Sequence, residues 1–199
     1  LEQSFEMPGL DRDRGIRLYL PPSYQGSEQR YPVIYMHDGQ NLFDDSTAFL
    51  SEWGVDEILN EIASEGGPEF IVVGIDNGGA KRTEELTPYV NAKYGGGRGA
   101  LYMDFIVKVI KPFVDENYRT LPAVENTALI GSSLGGLISH YGIYTYPEIF
   151  SKAGVFSPSY WFCLDEIKKL TSENPLPPDH RMVMLVGKKE GEVMNGPFV

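Results

Sequence analysis

One ten-residue segment, 127–136, constrains the fold of this 199-residue chain more than any other. It begins as an apolar strand, continues as Gly-Ser-Ser-Leu-Gly at 131–135 and leads into residues that suit a helix. A strand that turns sharply into a helix through Gly-x-Ser-x-Gly is a nucleophile elbow, whose turn holds the serine in a strained conformation. Side chains at Gly131 and Gly135 would collide with the neighbouring strand and helix. The segment predicts Ser133 as a catalytic nucleophile, the alternative being an ordinary glycine-rich turn.

Strands and helices alternate along the whole chain. Apolar or alternating runs predict strands at 16–20, 31–36, 70–75, 152–156 and 182–186, and helical spacing predicts helices at 53–63, 101–114, 137–146 and 164–170. Strands that are apolar along their length are typical of a parallel sheet with helices on both faces. We therefore predict an α/β fold with a mostly parallel central sheet, in a single domain over 1–199. In such sheets ligands bind beyond the carboxyl ends of the strands.

Charge and composition limit the partners. Acidic residues outnumber basic ones by 28 to 17, and a net charge of −11 opposes attraction to nucleic acid or anionic lipid. No apolar run approaches the length that crosses a bilayer. We expect a soluble protein without nucleic-acid or membrane partners, acting on a small or neutral substrate. The lack of a signal peptide slightly favours the cytoplasm without fixing the compartment. The oligomeric state is open, and the single Cys163 excludes an internal disulfide.

Two backbone amides are candidates for an oxyanion hole, the donors that stabilise a tetrahedral intermediate. One is the N–H of Leu134, which follows the nucleophile at the start of the helix. The other should come from the loop after the strand at 31–36, which begins His37-Asp38-Gly39-Gln40. We expect Gly39 to let the chain turn so that the Gln40 amide faces the site. The alternative is a polar turn in which Asp38 caps locally.

Other residues near strand ends give weaker candidates. Trp161 could form an apolar wall for an acyl or aryl group, or belong to the core. The segment 76–99 shows neither the helical nor the strand spacing of apolar residues and is long for a connection, which predicts a lid or a binding loop. Carboxylates at Asp38, Asp44 and Asp45 are more typical of caps and solvated charges than of a cation site, so no metal is predicted.

Five segments of the chain occur together in one known group of enzymes. They are residues 17–24, 35–43, 82–88, 131–136 and 157–161, and they run in that group's order over nearly the whole chain. The chain resembles the serine esterases of the alpha/beta-hydrolase superfamily, a group with enterochelin, feruloyl, acetyl-xylan and esterase D-like enzymes and mycolyltransferases. The resemblance implies an alpha/beta-hydrolase fold, a small-molecule ester as substrate and no cofactor. It also implies acyl transfer through Ser133, with Gln40 and Leu134 as oxyanion donors.

The resemblance implies further site residues. In such enzymes the catalytic acid follows the strand after the Ser-Pro-Ser segment, in a pattern such as Gly-x-x-Glu. Residues 187–190 match this pattern, which implies Glu190 as the acid and Glu192 as its competitor; without the resemblance, Glu190 lies in a charged run typical of a solvated face. His37 is implied to support the loop or the substrate. Arg82, in a matching segment, is a candidate for substrate binding unless it pins its loop by pairing with Glu85.

The chain departs from the group at the catalytic base. In such enzymes the histidine lies tens of residues beyond the acid, and no histidine follows His180 here. We expect His140 two turns along the elbow helix and His180 at the opposite edge of the sheet, which leaves His37 as the remaining candidate. We therefore expect a C-terminally incomplete domain that lacks its last strand, last helix and catalytic histidine. The alternatives are a non-catalytic binding domain and an acyltransferase with the same nucleophile.

Overall fold

A central sheet of seven strands organises the computed structural model, which describes residues 2–190. The strands in chain order are β1 (Glu2–Met7), β2 (Arg12–Tyr19), β3 (Val33–His37), β4 (Ile71–Ile75), β5 (Val90–Asn91), β6 (Gly95–Gly96), β7 (Thr127–Ser132), β8 (Lys152–Phe156) and β9 (Arg181–Leu185). Strands β5 and β6 form a separate hairpin, and the others form a sheet in the order β1-β2-β4-β3-β7-β8-β9. Five neighbouring strands run parallel, namely β4, β3, β7, β8 and β9. Strands β1 and β2 are antiparallel to their neighbours. The predicted mostly parallel sheet is confirmed.

Helices cover both faces of this sheet. In the described residues they are α1 (Val55–Ser64), α2 (Arg82–Glu85), α3 (Gly99–Phe105), a π-helical stretch (Ile106–Ile110), α4 (Lys111–Asn117), α5 (Leu134–Thr145) and α6 (Leu164–Glu173). Successive side chains of a strand point to opposite faces. In β3, Tyr35 belongs to the large apolar core with residues of α3, α4 and α5, whereas Met36 packs with Val55 and Leu59 of α1. The two faces therefore have separate apolar clusters.

Two elements differ from the sequence-based expectation. Strand β1 was not predicted, because residues 2–7 carry only two apolar side chains; antiparallel pairing with β2 makes them a strand, and Met7 is fully buried. The segment 76–99, expected to be an irregular lid or binding loop, contains α2 and the β5–β6 hairpin. The other predicted strands and helices are present with shifted ends.

The strand β9 forms one edge of the sheet. Its alternate residues Val183 and Leu185 are exposed, so this strand carries apolar side chains on its surface. Within residues 2–190, no helix combines the length and the apolar character needed to cross a bilayer. The carboxyl ends of the parallel strands meet at a common edge of the sheet, where the predicted site residues begin.

Candidate active site

Ser133 lies in the sharp turn between β7 and α5. Its backbone has φ 59° and ψ −120°, a conformation that side-chain-bearing residues rarely adopt. A Cβ on Gly131 would lie 2.5 Å from the carbonyl carbon of Gly135, so only glycine allows the strand and the helix to approach this closely. The Ser133 amide donates to the Phe156 carbonyl, and the Ser159 amide donates to the Ser133 carbonyl, both at 3.0 Å. The turn therefore has the geometry of a nucleophile elbow.

The loop after β3 carries the second expected oxyanion donor. Asp38 has the left-handed backbone (φ 59°, ψ 48°), which corrects the expectation that Gly39 makes the turn. Gly39 is needed for a different reason, because a Cβ there would lie 2.7 Å from the carbonyl carbon of Gly74 in β4. Within residues 2–190, neither the Gln40 amide nor the Leu134 amide donates to a protein acceptor. Both N–H groups are available to a ligand oxygen.

Two cavities open beside Ser133. The smaller has a volume of about 160 Å³ and is lined by His37, Asp38, Asn41, Leu42, Trp53, Arg82, Ser132 and Ser133. The larger has a volume of about 810 Å³ and is lined by Gln40, Asn41, Thr47, Phe49, Leu50, Asn77, Gly79, Arg82 and Ser133. The larger one is in the size range of small-molecule sites. Ser133, Asn41 and Arg82 line both cavities, which places the predicted nucleophile where the two meet.

An ion pair joins the loop after β3 to α2. Arg82 binds the Asp38 carboxylate through Nε at 2.6 Å and Nη2 at 2.8 Å, and the Asn77 side chain adds a bond at 2.7 Å. Burial raises the pKa of Asp38, but the hydrogen bonds and charge of Arg82 and the bond from Asn77 outweigh it and hold the pKa below its usual value. The sequence left open a pairing of Arg82 with Glu85, but the structure does not contain it. Glu85 is fully buried and pairs with Arg14 of β2.

His37 is buried beside Ser133 and is not placed to act as its base. Burial lowers the pKa of His37 to about 4, with Asp38 opposing and Arg82 adding to the shift, so the ring is neutral at pH 7. Its Nδ1 is 2.8 Å from the Tyr102 hydroxyl, and its buried Nε2 has no partner within residues 2–190. If the Tyr102 hydroxyl donates to Nδ1, only the Nε2–H group of His37 is left without a partner. If Nδ1–H donates to the hydroxyl instead, both Nε2 and the hydroxyl proton are left without one. The ring proton therefore lies on Nε2, which cannot accept a proton from Ser133.

The other two histidines lie away from Ser133, as their positions in the sequence predict. His140 is bonded to the Tyr160 hydroxyl through Nδ1, and its Nε2 is 3.3 Å from the Thr171 hydroxyl. Burial lowers the pKa of His140 to about 4. His180 directly precedes β9, and its Nε2 donates a hydrogen bond to the Pro147 carbonyl, 2.8 Å away. Across residues 2–190, no histidine is hydrogen-bonded to Ser133.

Glu190 lies at the same sheet edge as Ser133. Its Oε1 accepts hydrogen bonds from the Ser157 hydroxyl at 2.6 Å and from the Gly187 amide at 2.8 Å. Ser157 follows β8 and Gly187 follows β9, so both donors lie beyond the carboxyl ends of strands. The carboxylate is exposed, and no histidine of the described part contacts it. Glu192, its competitor, lies outside the described residues.

Two further sets of predicted residues lie outside the cavities beside Ser133. Trp161 is 41% exposed, stands 5.4 Å from the Tyr94 ring in an edge-to-face arrangement and lines neither cavity. Asp44 accepts from the Ser46 amide and Asp45 from the Glu52 amide, both at 2.8 Å. Each carboxylate therefore accepts a hydrogen bond from a backbone amide of its own loop.

The sequence did not predict the segment that forms one wall of the larger cavity. Phe49 and Leu50 line this cavity although they are 85% and 89% exposed. They follow neither a helical nor a strand period, and the one available signal is an apolar pair inside a polar stretch. Asn77 was not singled out, although it lies in the segment 76–99, for which the sequence predicts a lid or a binding loop, and comes two residues after the end of β4.

Comparison with known proteins shows the family. The family model described as "Putative esterase" matches residues 8–193. The chain belongs to this esterase family. The "Uncharacterized protein YbbA" of Bacillus subtilis is 31% identical over 185 residues, which cover 90% of this chain and 70% of that protein. The "Siderophore triacetylfusarinine C esterase" of Aspergillus fumigatus is 29% identical over 168 residues, which cover 77% of this chain and 55% of that protein. Family membership supports a carboxylic ester hydrolase.

Solved structures share the fold. The BES protein from Bacillus cereus has a TM-score of 0.81 and 22% identity, with all of this chain covering 78% of that chain. The enterobactin esterase from Shigella flexneri has a TM-score of 0.77 and 20% identity, with all of this chain covering 48% of that one. At these identities the likeness shows the fold alone. The fold of this chain is that of the alpha/beta-hydrolases. The present chain spans about half the length of the Shigella protein.

Proposed function

We propose that this esterase hydrolyses small-molecule carboxylic esters through an acyl-enzyme on Ser133. The observation that carries the proposal is the strained turn at Ser133, which lies between two cavities and beside two amides without protein acceptors. In the proposed reaction Ser133 Oγ attacks the ester carbonyl, and the Gln40 and Leu134 amides bind the oxyanion. The alcohol leaves, and water then releases the acid.

The proposal requires a base, because a serine hydroxyl is a weak nucleophile at neutral pH. None of the three histidines is bonded to Ser133, and His37 carries its proton on the wrong nitrogen. We assign the base to a histidine outside this sequence, as in the enzymes that the chain resembles. We assign the acid to Glu190, whose carboxylate Ser157 and Gly187 already orient.

The larger cavity supports a bulky ester as substrate. Its volume of about 810 Å³ combines the apolar side chains of Phe49 and Leu50 with the polar groups of Asn77 and Arg82. The related Aspergillus protein is named as a siderophore esterase, which favours a substrate with several polar groups. We assign Arg82 to binding an acceptor atom of this substrate, since its Nη1 has no acceptor within residues 2–190.

His37 and Trp161 complete the proposed substrate contacts. The Nε2–H of His37 faces no protein acceptor, and His37 lines the smaller cavity. The rings of Trp161 and Tyr94 contact each other and are both partly exposed. We assign to them the binding of an aryl or acyl group of the substrate that extends beyond the cavities. A Trp161→Ala variant should therefore raise KM for aryl esters more than for acetyl esters.

The decisive test is the intact mass of the natural, full-length gene product after treatment with a fluorophosphonate. A single adduct that is absent in Ser133→Ala supports the proposal, because labelling requires an activated hydroxyl. The 199-residue chain, treated in parallel, should stay unlabelled if its base lies elsewhere. A folded full-length product that gains no adduct contradicts the proposal and favours a non-catalytic binding domain. Product analysis with water and a sugar as competing acceptors separates hydrolysis from acyl transfer.

A further inference from the structure

A second serine hydroxyl lies beside the proposed nucleophile. The Oγ of Ser159 is 3.0 Å from the Oγ of Ser133, and the Ser159 amide donates to the Ser133 carbonyl. Ser159 is 2% exposed, whereas Ser133 is half-buried and lines both cavities. The two residues are 26 positions apart, so the turn that follows β8 brings them together.

Burial decides which of the two hydroxyls donates. Each hydroxyl has one proton, and within residues 2–190 the Ser159 Oγ is bonded only to the Ser133 Oγ. If Ser133 donated, the Ser159 proton would be buried without an acceptor, which is unfavourable because it has lost its bond to water. If Ser159 donates, the Ser133 proton faces the cavities, where solvent or a base can accept it. The second arrangement satisfies both hydroxyls.

We propose that Ser159 is a positioning residue, which donates a hydrogen bond to the Ser133 Oγ and turns the Ser133 proton towards the cavities. The catalytic part of this inference rests on the proposed function. During attack the O–H bond of Ser133 breaks, its proton passes to the base, and the oxygen's electron pair forms the bond to the ester carbonyl carbon. Negative charge develops on Oγ as the proton leaves, and a hydrogen bond to a charged acceptor is roughly twice as strong as one to a neutral acceptor. Ser159 thus stabilises Oγ at this step.

Fluorophosphonate kinetics on the full-length product test the positioning role. Ser159→Ala removes the donor with little change in volume. The rate constant of labelling at saturating probe should fall about tenfold, while the probe concentration for half-maximal rate stays the same. Ser159→Cys keeps a weak donor and should give an intermediate rate. A Ser159→Ala protein that is labelled at the parent rate overturns the positioning role.

Ser151 provides a matched control for the loss of a buried hydroxyl. It is also 2% exposed, and its Oγ donates to the Val124 carbonyl at 2.8 Å. It precedes β8, at the edge of the sheet opposite Ser133. Ser151→Ala should therefore keep the parent labelling rate. An equal fall in this variant and in Ser159→Ala would show a general loss of structure and overturn the positioning role.

The direction of the hydrogen bond is tested without catalysis by urea unfolding. Ser133→Ala leaves the buried Ser159 donor unpaired and should raise the unfolding equilibrium constant about tenfold. Ser159→Ala leaves only Ser133, which water can reach, so it should have a smaller effect, and the double variant should match Ser159→Ala. Equal effects that add in the double variant overturn the assigned direction. If Ser133 is never labelled, the proposed function fails, and the unfolding series still decides this direction.

Discussion

At the scale of single residues, the pair of Arg82 and Asp38 should control both stability and reactivity. Arg82→Ala leaves the Asp38 carboxylate, which is mostly buried, with the Asn77 amide as its one remaining side-chain partner. An unpaired buried charge is strongly unfavourable, so we expect the free energy of unfolding to fall by about 2 kcal/mol. Urea unfolding at pH 7 measures the loss, and fluorophosphonate labelling should slow because α2 no longer holds the loop that carries the proposed oxyanion donor Gln40.

An exposed ion pair on the neighbouring turn provides the control. Lys81 is 58% exposed and pairs with Glu84 at 3.1 Å. Exposed pairs contribute about 0–1 kcal/mol, so Lys81→Ala should change the free energy of unfolding far less than Arg82→Ala. Similar losses in the two variants would show that the Asp38 carboxylate does not depend on its partner.

The sequence predicts those site residues whose roles come from local geometry. Ser133 and Leu134 follow from a five-residue pattern, because the turn itself creates both the strained serine and the free amide. The contacts of Ser159 and His37 could not be predicted, since their partners lie 26 and 65 positions away along the chain. Such contacts depend on how strands are ordered in the sheet and on which loops meet at its edge. One sequence contains no signal for either.

At the scale of elements, the loop after β3 depends on its contact with β4. A Cβ on Gly39 would meet backbone atoms of Gly74, Ile75 and Asp76 at 2.7 to 2.9 Å, and backbone cannot move aside as a flexible side chain can. Gly39→Ala should therefore push the loop away from β4 and lower the free energy of unfolding by about 1–3 kcal/mol. Labelling of Ser133 should slow with it, because the Gln40 amide moves with the loop.

Gly26 offers a matched glycine without such contacts. It ends a short 3-10 helix at Pro22–Gly26, and a Cβ there would meet nothing within 4 Å. Gly26→Ala should leave both the urea midpoint and the labelling rate unchanged. A Gly39→Ala protein that behaves like Gly26→Ala would show that the loop does not need its close approach to β4.

The elements that sequence reasoning found and missed differ in what stabilises them. The buried parallel strands and the helices α1, α5 and α6 have apolar side chains at their own period, so local pattern predicts them. Strand β1 has no such pattern and depends on β2 for its hydrogen bonds. The β5–β6 hairpin is likewise formed by one antiparallel pairing of two-residue strands. Elements that form only through pairing with a neighbouring strand, or that are very short, leave little trace in the sequence.

At the scale of the whole molecule, two buried histidines make folding sensitive to mild acid. His37 and His140 have pKa values lowered by burial to about 4, against about 6.5 for an unfolded chain. Between these values the unfolded state binds more protons than the folded state, so the free energy of unfolding falls as the pH falls. The contribution of these two histidines to the free energy of unfolding is fully present above pH 6.5 and is lost as the pH falls from 6.5 to 4.

The two histidines should contribute separately to this loss. By linkage, each lowers the free energy of unfolding by about 2 kcal/mol between pH 7 and pH 5. His140→Gln removes one titrating ring, so its loss over that interval should be about 2 kcal/mol smaller than that of the parent. Comparing the two proteins by urea unfolding at both pH values cancels the titration of the carboxylates, which they share. If the two proteins lose the same free energy over this interval, His140 is already protonated in the folded state at pH 5, which the burial of its ring disfavours.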